Sequence, residues 1–345
     1  MIPYVVLLLI LVVTLTFSKK NIIFYYISLI IMIFFSGLRS HVGVDYDSYL
    51  EIFENIANSY EDNIFNYPFE PLNVVIVKII LIIGFSNQFI FLIYSFITML
   101  GIGYFVKKMS VSKEFSMFIF LTISIYYLST LNGIRQWVAI SMILVSIVNM
   151  IEKKHIKSMF FFIIASLFHS SSMIFLIMPF LIKRWPKKIL IIIFSLSVVF
   201  AKLIFFIIEN SKYSIYIKGL NFDQKGSYLF FSLYILVILG LIVFLGYFNQ
   251  SVNFQKKEIV LINMSILSLF TLIVLNILEI DFLTLMRVNM YFQPQLIILI
   301  PLVISKINKS ARLSFTYFSL IFCTSYFLSI LYFKGEDYML TPYSF

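Results

Sequence analysis

Long apolar runs separated by short polar segments make up most of this 345-residue chain. Each run is close to the ~20 residues that an α-helix needs to cross a bilayer, so we predict a full crossing for ten of them. These runs are residues 2–17, 22–38, 89–106, 115–131, 134–150, 189–208, 228–248, 259–278, 290–305 and 313–333. The pattern predicts an all-α fold, a polytopic transmembrane helix bundle of about 10 full spans forming a single integral membrane domain over residues 1–345.

Two further apolar runs fit better as partial or re-entrant segments. Residues 72–85 form a short run that carries Lys78, and a full crossing there would move Lys107 and Lys108 to the outer side. Residues 159–182 have basic clusters on both sides, which a single crossing would place on opposite faces. We therefore predict a break in this second run, with His169 and the serines after it at the tip.

Lysine placement sets the predicted orientation. The lysines form short clusters between apolar runs, and the positive-inside rule assigns these clusters to the cytoplasmic face, with both chain termini outside. The segment 209–227 carries three lysines on the predicted outer side and departs from this rule. Loop 39–70 contains no lysine but seven of the sixteen acidic residues, so we predict that it faces outward. These acids are Asp45, Asp47, Glu51, Glu54, Glu61, Asp62 and Glu70.

Composition excludes several classes of protein. A hydrophobic content of 61% and a mean hydropathy of +1.00 do not fit a soluble domain of this length. The net charge of +10 would suggest a nucleic-acid partner in a soluble chain. Here the lysines lie between apolar runs, and we interpret them as membrane anchors. The single cysteine, Cys323, lies in an apolar run, which excludes a disulfide framework and a cysteine metal site.

Arginine is scarce, so each position needs a reason. Of the five arginines, Arg184 and Arg312 lie in basic clusters and serve as anchors. The other three, Arg39, Arg135 and Arg287, lie at predicted outer ends of spans, where a forked cation suits a diphosphate. The alternative is that each one snorkels or pairs with a nearby acid. The nearby acids are Asp45, Glu70, Glu279 and Asp281.

His169 is the first candidate proton acceptor, because an imidazole can act as a base near neutral pH and this one lies beside three serines in an apolar run. The alternative is a buried histidine that only packs. Asp45 and Glu70 are the other candidates, and Asp45 with Asp47 could instead bind sugar hydroxyls or a divalent metal. Tyr46 and Tyr49 suit sugar stacking or an interfacial aromatic belt.

In this order along the chain, several short motifs resemble the EpsG-like branch of the Wzy-type bacterial polysaccharide polymerases. The motifs are Gly37-Leu38-Arg39, Val42-Gly43-Val44-Asp45-Tyr46 with Tyr49, Glu70-Pro71-Leu72, Ile134-Arg135-Gln136, Phe168-His169-Ser170-Ser171, and Arg287 with Tyr291-Phe292. They extend over most of the chain, and the lysine-bearing segment 209–227 has no counterpart in the pattern.

The resemblance implies an inverting, metal-independent glycosyltransferase without a cofactor, at the outer face of the bacterial inner membrane. It would pass the growing glycan from a polyprenyl diphosphate to an incoming lipid-linked repeat unit. The implied residues are Arg39, Arg135 and Arg287 for the diphosphate, His169, Asp45 or Glu70 for proton transfer, and Tyr46, Tyr49, Gln136 and Tyr291 for sugars. The expected partners are the lipid-linked oligosaccharide and the bilayer, then flippase and chain-length regulator proteins, and not nucleic acid.

Two other functions share these features. A flippase for lipid-linked sugars would need the cationic cavity but no base, and it would be expected to show two comparable halves, which the sequence lacks. Another polyprenyl-dependent glycosyltransferase could hold a metal ion at Asp45 or Asp47 in the first outer loop. The sequence does not specify the sugars, the linkage or the class of glycan.

Overall fold

A computed structural model describes residues 1–59, 63–67, 69–192, 195–196, 199, 203, 206, 236–249, 251–277 and 287–345. Across these residues all regular structure is helical and no β-strand occurs, which confirms the all-α prediction. The chain divides into two compact units. The first comprises Met1–Leu176 and Ile300–Phe345, and the second comprises Ile177–Leu299.

The helices follow the apolar runs closely at most positions. In chain order they are α1 Ile2–Ser18, α2 Ile23–Gly37, α3 Tyr46–Asn58, α4 Pro71–Ile82, α5 Asn87–Met109, α6 Lys113–Thr122, α7 Ile134–Ile151, α8 His155–Phe168, α9 Met178–Leu181, α10 Lys256–Ile277, α11 Leu296–Lys306 and α12 Lys309–Phe333. Short 3₁₀ helices cover Leu128–Leu131, Ser170–Ile177 and Gln293–Gln295. Helical backbone also occurs at 187–192 and 236–244.

Three of the described helices, α5, α7 and α12, are long and apolar enough to cross a membrane. Several other described helices are apolar but shorter, including α1 and α2. The number of ten crossings therefore stays a prediction. Parts of the predicted spans 189–208, 228–248 and 259–278, and all of segment 209–227, lie outside the described residues.

Helix α7 forms the centre of the first unit, where it packs between α5 and α8. Its most apolar stretch is 89% buried, whereas that of α12 is only 11% buried, so α7 is a core helix and α12 a peripheral one. Close helix contact depends on small residues, because a Cβ atom at Gly101 of α5 would lie 2.8 Å from the Cβ of Ser141 on α7. This core holds the start of α7 in a fixed place.

The predicted outer loop 39–70 contains a helix in its middle, α3, which the sequence analysis did not identify. Tyr46, Tyr49, Phe53 and Ile56 are the buried residues of α3, and their spacing of three and four places them on one face of a helix. The charged residues between them face outward. The sequence analysis used only the acidity of this segment and therefore did not identify the helical pattern. Of the loop acids, Glu61 and Asp62 lie outside the described residues.

The predicted span 115–131 is not one helix. Helix α6 ends at Thr122, Ile123 adopts an extended conformation, and a 3₁₀ turn follows at Leu128–Leu131. Tyr127 turns back, with its N–H donating to Phe120 O at 3.1 Å and its hydroxyl donating to Met32 O at 2.9 Å. These bonds to α6 and α2 replace those that a continuous helix would make.

Both predicted partial segments differ from simple spans. Helix α4 has 12 residues and is ~18 Å long, which is shorter than the ~30 Å hydrocarbon core of a bilayer. In the run 159–182, α8 ends at Phe168, His169 is extended with φ −158°, and the chain continues as a 3₁₀ helix. The break lies where the sequence placed it, and the re-entrant path stays a prediction.

Candidate functional site

The site begins at the first turn of α4. Glu70 precedes the helix with extended backbone, and Pro71 occupies the first helical position, where its missing N–H removes no helix hydrogen bond. A proline directly after an acidic residue is a typical sequence signal of a helix start. A carboxylate at this position is favoured by the positive end of the helix dipole.

Glu70 joins two residues that are distant in sequence. Its Oε2 lies 2.9 Å from Nη1 of Arg135 at the start of α7, and its Oε1 lies 2.9 Å from Nδ1 of His169 just after α8. The backbone N–H of Ser170 also donates to Oε1, at 3.2 Å. The three side chains are mostly but not fully buried, with 16% of Glu70, 20% of Arg135 and 25% of His169 exposed. A ligand can therefore reach the histidine and the arginine.

Asn73 fixes the position of this group, and the sequence analysis missed it. Its Nδ2 donates to Glu70 Oε2 at 3.2 Å and to Phe168 O at 2.9 Å, while its Oδ1 accepts from the Tyr94 hydroxyl at 2.7 Å. Asn73 thereby ties α4 to α5 and to the end of α8. The available signal was a polar side chain one helical turn after Glu70 in an otherwise apolar run.

Aromatic rings surround the Arg135 guanidinium. Its Cζ lies 4.9 Å from the centre of the Phe69 ring and 5.7 Å from that of Tyr49, which are cation–π distances. Its Nε is buried without a hydrogen-bond partner among the described residues. Such an unsatisfied donor costs about 1–3 kcal/mol and is typical of a site arranged for something other than stability alone.

The charges of Glu70 and its partners determine where the histidine proton lies. Burial raises the pKa of Glu70, but the hydrogen bond from His169 and the positive charge of Arg135 outweigh it and lower the pKa to about 2. Glu70 is therefore ionised at neutral pH and can only accept hydrogen bonds. It follows that Nδ1 of His169 carries the proton, and that Nε2 is the nitrogen able to accept another.

Arg39 lies in a separate place in the same unit and is only 1% exposed. Its Nε donates to Val42 O at 3.0 Å, its Nη2 donates to Leu131 O at 2.8 Å, and its Nη1 donates to Ser36 O. Burial lowers its pKa to about 10, which keeps it charged at neutral pH. All three guanidinium nitrogens are used by backbone carbonyls, an arrangement that favours a structural role over phosphate binding.

The loop between α2 and α3, from Leu38 to Asp45, is held by Arg39 and by a tight turn at Gly43. Gly43 has φ +97°, and a Cβ atom there would lie 2.6 Å from Asn132 Oδ1. Its N–H donates to Met339 O at 2.7 Å, so residues near the C-terminus help to hold this loop. These contacts give a structural reason for the motifs at 37–39 and 42–46, and that reason involves no ligand.

Tyr46, predicted to bind sugar, is buried against α5. Its ring stacks on Phe91 with centroids 4.5 Å apart, and its hydroxyl donates to Gln88 Oε1 at 2.7 Å. Asp45 immediately before it is half-buried, and its carboxylate has no hydrogen-bond partner within the described part of the chain. His41 and Asp47 pair on the surface, with 2.6 Å between Nδ1 and Oδ1.

The structure thus brings together Glu70, Arg135 and His169, with Tyr49 beside them. Gln136 follows Arg135 on α7 and is buried. Arg287 and Tyr291 belong to the second unit, where Arg287 is exposed and Tyr291 is buried, so their role in this site stays a prediction. The described residues contain no group of three or more His, Cys, Asp or Glu side chains placed to hold a metal ion.

Comparison with known proteins identifies the family. A family model described as the EpsG family matches residues 22–345, which include Glu70, Arg135 and His169. No curated protein and no solved structure is significantly similar to the chain. The match covers almost the whole sequence and confirms the predicted resemblance. The chain therefore belongs to the EpsG family and is a polysaccharide-polymerase-like membrane protein.

Proposed function

We propose that this protein polymerises lipid-linked oligosaccharide repeat units. It transfers the growing glycan from a polyprenyl diphosphate to a hydroxyl group of an incoming lipid-linked repeat unit, at the outer face of the bacterial inner membrane. Family membership supports a polymerase-like membrane protein. The single observation that carries the finer proposal is the bridge of Glu70 between Arg135 and His169.

This bridge holds a base and a cation side by side, which is what the transfer requires. The acceptor oxygen attacks the anomeric carbon of the donor sugar and forms a new C–O bond with inversion. The C–O bond to the diphosphate breaks, and the lipid diphosphate leaves with the electron pair. The acceptor proton moves to Nε2 of His169, and Arg135 stabilises the negative charge that develops on the leaving group.

Glu70 acts as a positioning residue in this scheme. A carboxylate with a pKa of about 2 is a weak proton acceptor at neutral pH, so Glu70 is a poor general base. It instead orients the His169 ring through Nδ1 and holds the Arg135 fork. This assignment leaves His169 as the base in place of Asp45, whose carboxylate has no hydrogen-bond partner within the described part of the chain.

Arg135 and Arg39, both candidates for binding the diphosphate, differ in their accessibility. Arg135 is exposed enough to meet a ligand, whereas the guanidinium of Arg39 is enclosed by carbonyl groups. We assign Arg135 to the diphosphate and Arg39 to the loop between α2 and α3. Among the aromatic residues, Tyr49 and Phe69 lie beside Arg135 and are better placed to contact the first sugar than Tyr46.

Deleting the gene and separating the surface glycan on a gel tests the proposed function. Loss of a polymerase leaves one repeat unit per carrier, and this is the expected result. Loss of a flippase removes surface glycan altogether, and that outcome would overturn the proposal. The metal-dependent alternative is tested with purified protein, because the proposed reaction should continue in the presence of a chelator and the alternative reaction should stop.

A further inference from the structure

A cavity of about 640 Å³ opens in the first unit between α1, α6, α11 and α12. Its size falls within the ~300–1,000 Å³ of small-molecule sites. Leu15, Phe118 and Leu320 contribute to its apolar walls. Nothing in the glycosyl-transfer site accounts for it, because none of its lining residues contacts Glu70, Arg135 or His169.

The charged residues that line this cavity lie at the ends of the helices that form it. Lys19 directly follows α1, Glu114 lies in the first turn of α6, and Arg312 lies in the first turn of α12. The apolar residues lie one or two turns further inside the same helices. A molecule with a charged head and an apolar tail would match this division.

The charge at the rim is positive. Glu114 is balanced by Lys113, whose Nζ lies 3.7 Å away, and it accepts hydrogen bonds from Ser18 and Ser112. Lys19 is exposed and has no ion-pair partner among the residues that the structure describes. Arg312 donates from Nη2 to Ser305 O and Ile307 O, and its Nε is buried without a hydrogen-bond partner among the described residues. Neither Lys19 nor Arg312 forms an ion pair with a described carboxylate, so both positive charges are available to an anionic head group.

The cavity lies at the opposite end of α1 from the loop that leads into α3, the helix whose Tyr49 lies beside Arg135. Tyr4, near the start of α1, contacts Phe35 at the end of α2, which leads into the loop that carries Arg39. Lys19 is 15 residues further along α1, a distance of ~22 Å at 1.5 Å per residue. Lys19 and Arg312 belong to the basic clusters predicted to face the cytoplasm, where anionic lipids are recognised by such residues.

We propose that this cavity binds an anionic phospholipid of the cytoplasmic leaflet, with its phosphate at Lys19 and Arg312 and an acyl chain along Leu15, Phe118 and Leu320. The occupant is a membrane phospholipid and not the polyprenyl diphosphate, because the charged rim of the cavity lies at the opposite end of α1 from the loop that leads to Tyr49 and Arg135. Lipid binding here would hold the peripheral helix α12 against α1 and α6.

Lipid retention by the purified full chain tests this proposal. After extraction from membranes of mixed composition, we expect wild-type protein to retain phosphatidylglycerol in preference to phosphatidylcholine with the same acyl chains. Lys19→Gln should lower the retained phosphatidylglycerol at least about tenfold, as loss of one head-group contact of ~1.4 kcal/mol would do. Lys20→Gln, a change of the neighbouring exposed lysine outside the cavity, should leave retention unchanged.

Thr16→Trp provides a second variant, because it fills the cavity without removing a charge and should also reduce retention. Equal retention of both phospholipids, or wild-type retention by Lys19→Gln and Thr16→Trp, would overturn the proposal. Geranylgeranyl diphosphate serves as a probe for the carrier. If it raises the thermal unfolding midpoint of wild type but not of Lys19→Gln, the cavity belongs to the prenyl carrier and the phospholipid assignment is wrong.

Discussion

The carboxylate of Glu70 accepts hydrogen bonds from three segments of the first unit: from Asn73 in α4, from Arg135 in α7, and from His169 and Ser170 after α8. One residue therefore sets both the position of the proposed cation and the proton on the proposed base. Its negative charge is required for both tasks, since a neutral amide would neither pair with Arg135 nor fix the histidine tautomer.

Replacing this charge should have effects that depend on pH. The pKa of Glu70 is lowered from its usual value of 4.5 to about 2 in the folded protein. The ionised carboxylate therefore stabilises the fold fully at pH values above 4.5, and this stabilisation is lost as the pH falls through about 2. We expect the difference in thermal unfolding midpoint between wild type and Glu70→Gln to be constant from roughly pH 5 to 9 and to shrink below roughly pH 4. Glu51→Gln, on the exposed face of α3, should match wild type throughout.

Turnover should respond to the same change. Glu70→Gln is expected to lower the polymerisation rate at neutral pH at least about 100-fold, because the base loses its orientation. A Glu70→Gln protein with wild-type turnover, or a stability difference that varies between neutral and alkaline pH, would contradict the role assigned to Glu70.

Two arginine-to-lysine changes separate a structural from a functional cation. Arg39→Lys should lower the thermal unfolding midpoint and the yield of folded protein, because an ammonium cannot reach three separate carbonyls and each unpaired carbonyl costs ~1–3 kcal/mol. Arg135→Lys should keep the midpoint close to that of wild type and lose turnover. If Arg39→Lys instead loses turnover at an unchanged midpoint and Arg135→Lys loses stability, Arg39 would be assigned to the diphosphate.

The sequence identified Glu70, Arg135 and His169 separately but could not show their contact. Glu70 and Arg135 are 65 residues apart, and Glu70 and His169 are 99 residues apart. Only the packing of α7 against α5 and α8 brings them together, and no local pattern encodes it. Arg39 looked equivalent to Arg135 for the same reason, because burial by carbonyl groups is a tertiary property.

Among the elements, the long apolar runs predicted α1, α2, α5 and α7 within a few residues. The apolar runs did not predict the structure where tertiary contacts determine the backbone conformation. Helix α3 lies in a segment that was interpreted from its acidic charge alone. The predicted span 115–131 is interrupted after α6 because Tyr127 forms hydrogen bonds back to α6 and α2. Both corrections lie close to the loop between α2 and α3, whose shape depends on one glycine.

Gly43→Ala tests this dependence. We expect a marked loss of thermal stability and of turnover, because the new Cβ would lie 2.6 Å from Asn132 Oδ1 and 2.8 Å from Leu131 O. Gly84→Ala is the matched control, since Gly84 also has positive φ but has nothing within 4 Å of the new Cβ. Equal losses at both positions would mean that backbone strain alone, and not crowding of the loop, determines the effect.

At the scale of the whole molecule, the orientation of the chain in the membrane stays a prediction from the lysine clusters. Single cysteines at positions 154 and 187, in a Cys323→Ser background, should both be protected from a membrane-impermeant thiol reagent in intact spheroplasts. A cysteine at exposed position 47 should react. Lys154 and Lys187 are both exposed on the protein surface, so protection would report the membrane side. Reaction at only one of the two would show that residues 159–182 cross once.

Turnover of purified His169→Gln on a lipid-linked repeat unit tests whether His169 accepts the proton in the transfer reaction. Glutamine keeps a hydrogen-bonding side chain beside Glu70 but has no group that can accept the acceptor proton at neutral pH. We expect polymerisation to fall by ~10²- to 10⁴-fold while the lipid-linked donor still binds and the protein stays folded. Wild-type turnover by His169→Gln would contradict this role.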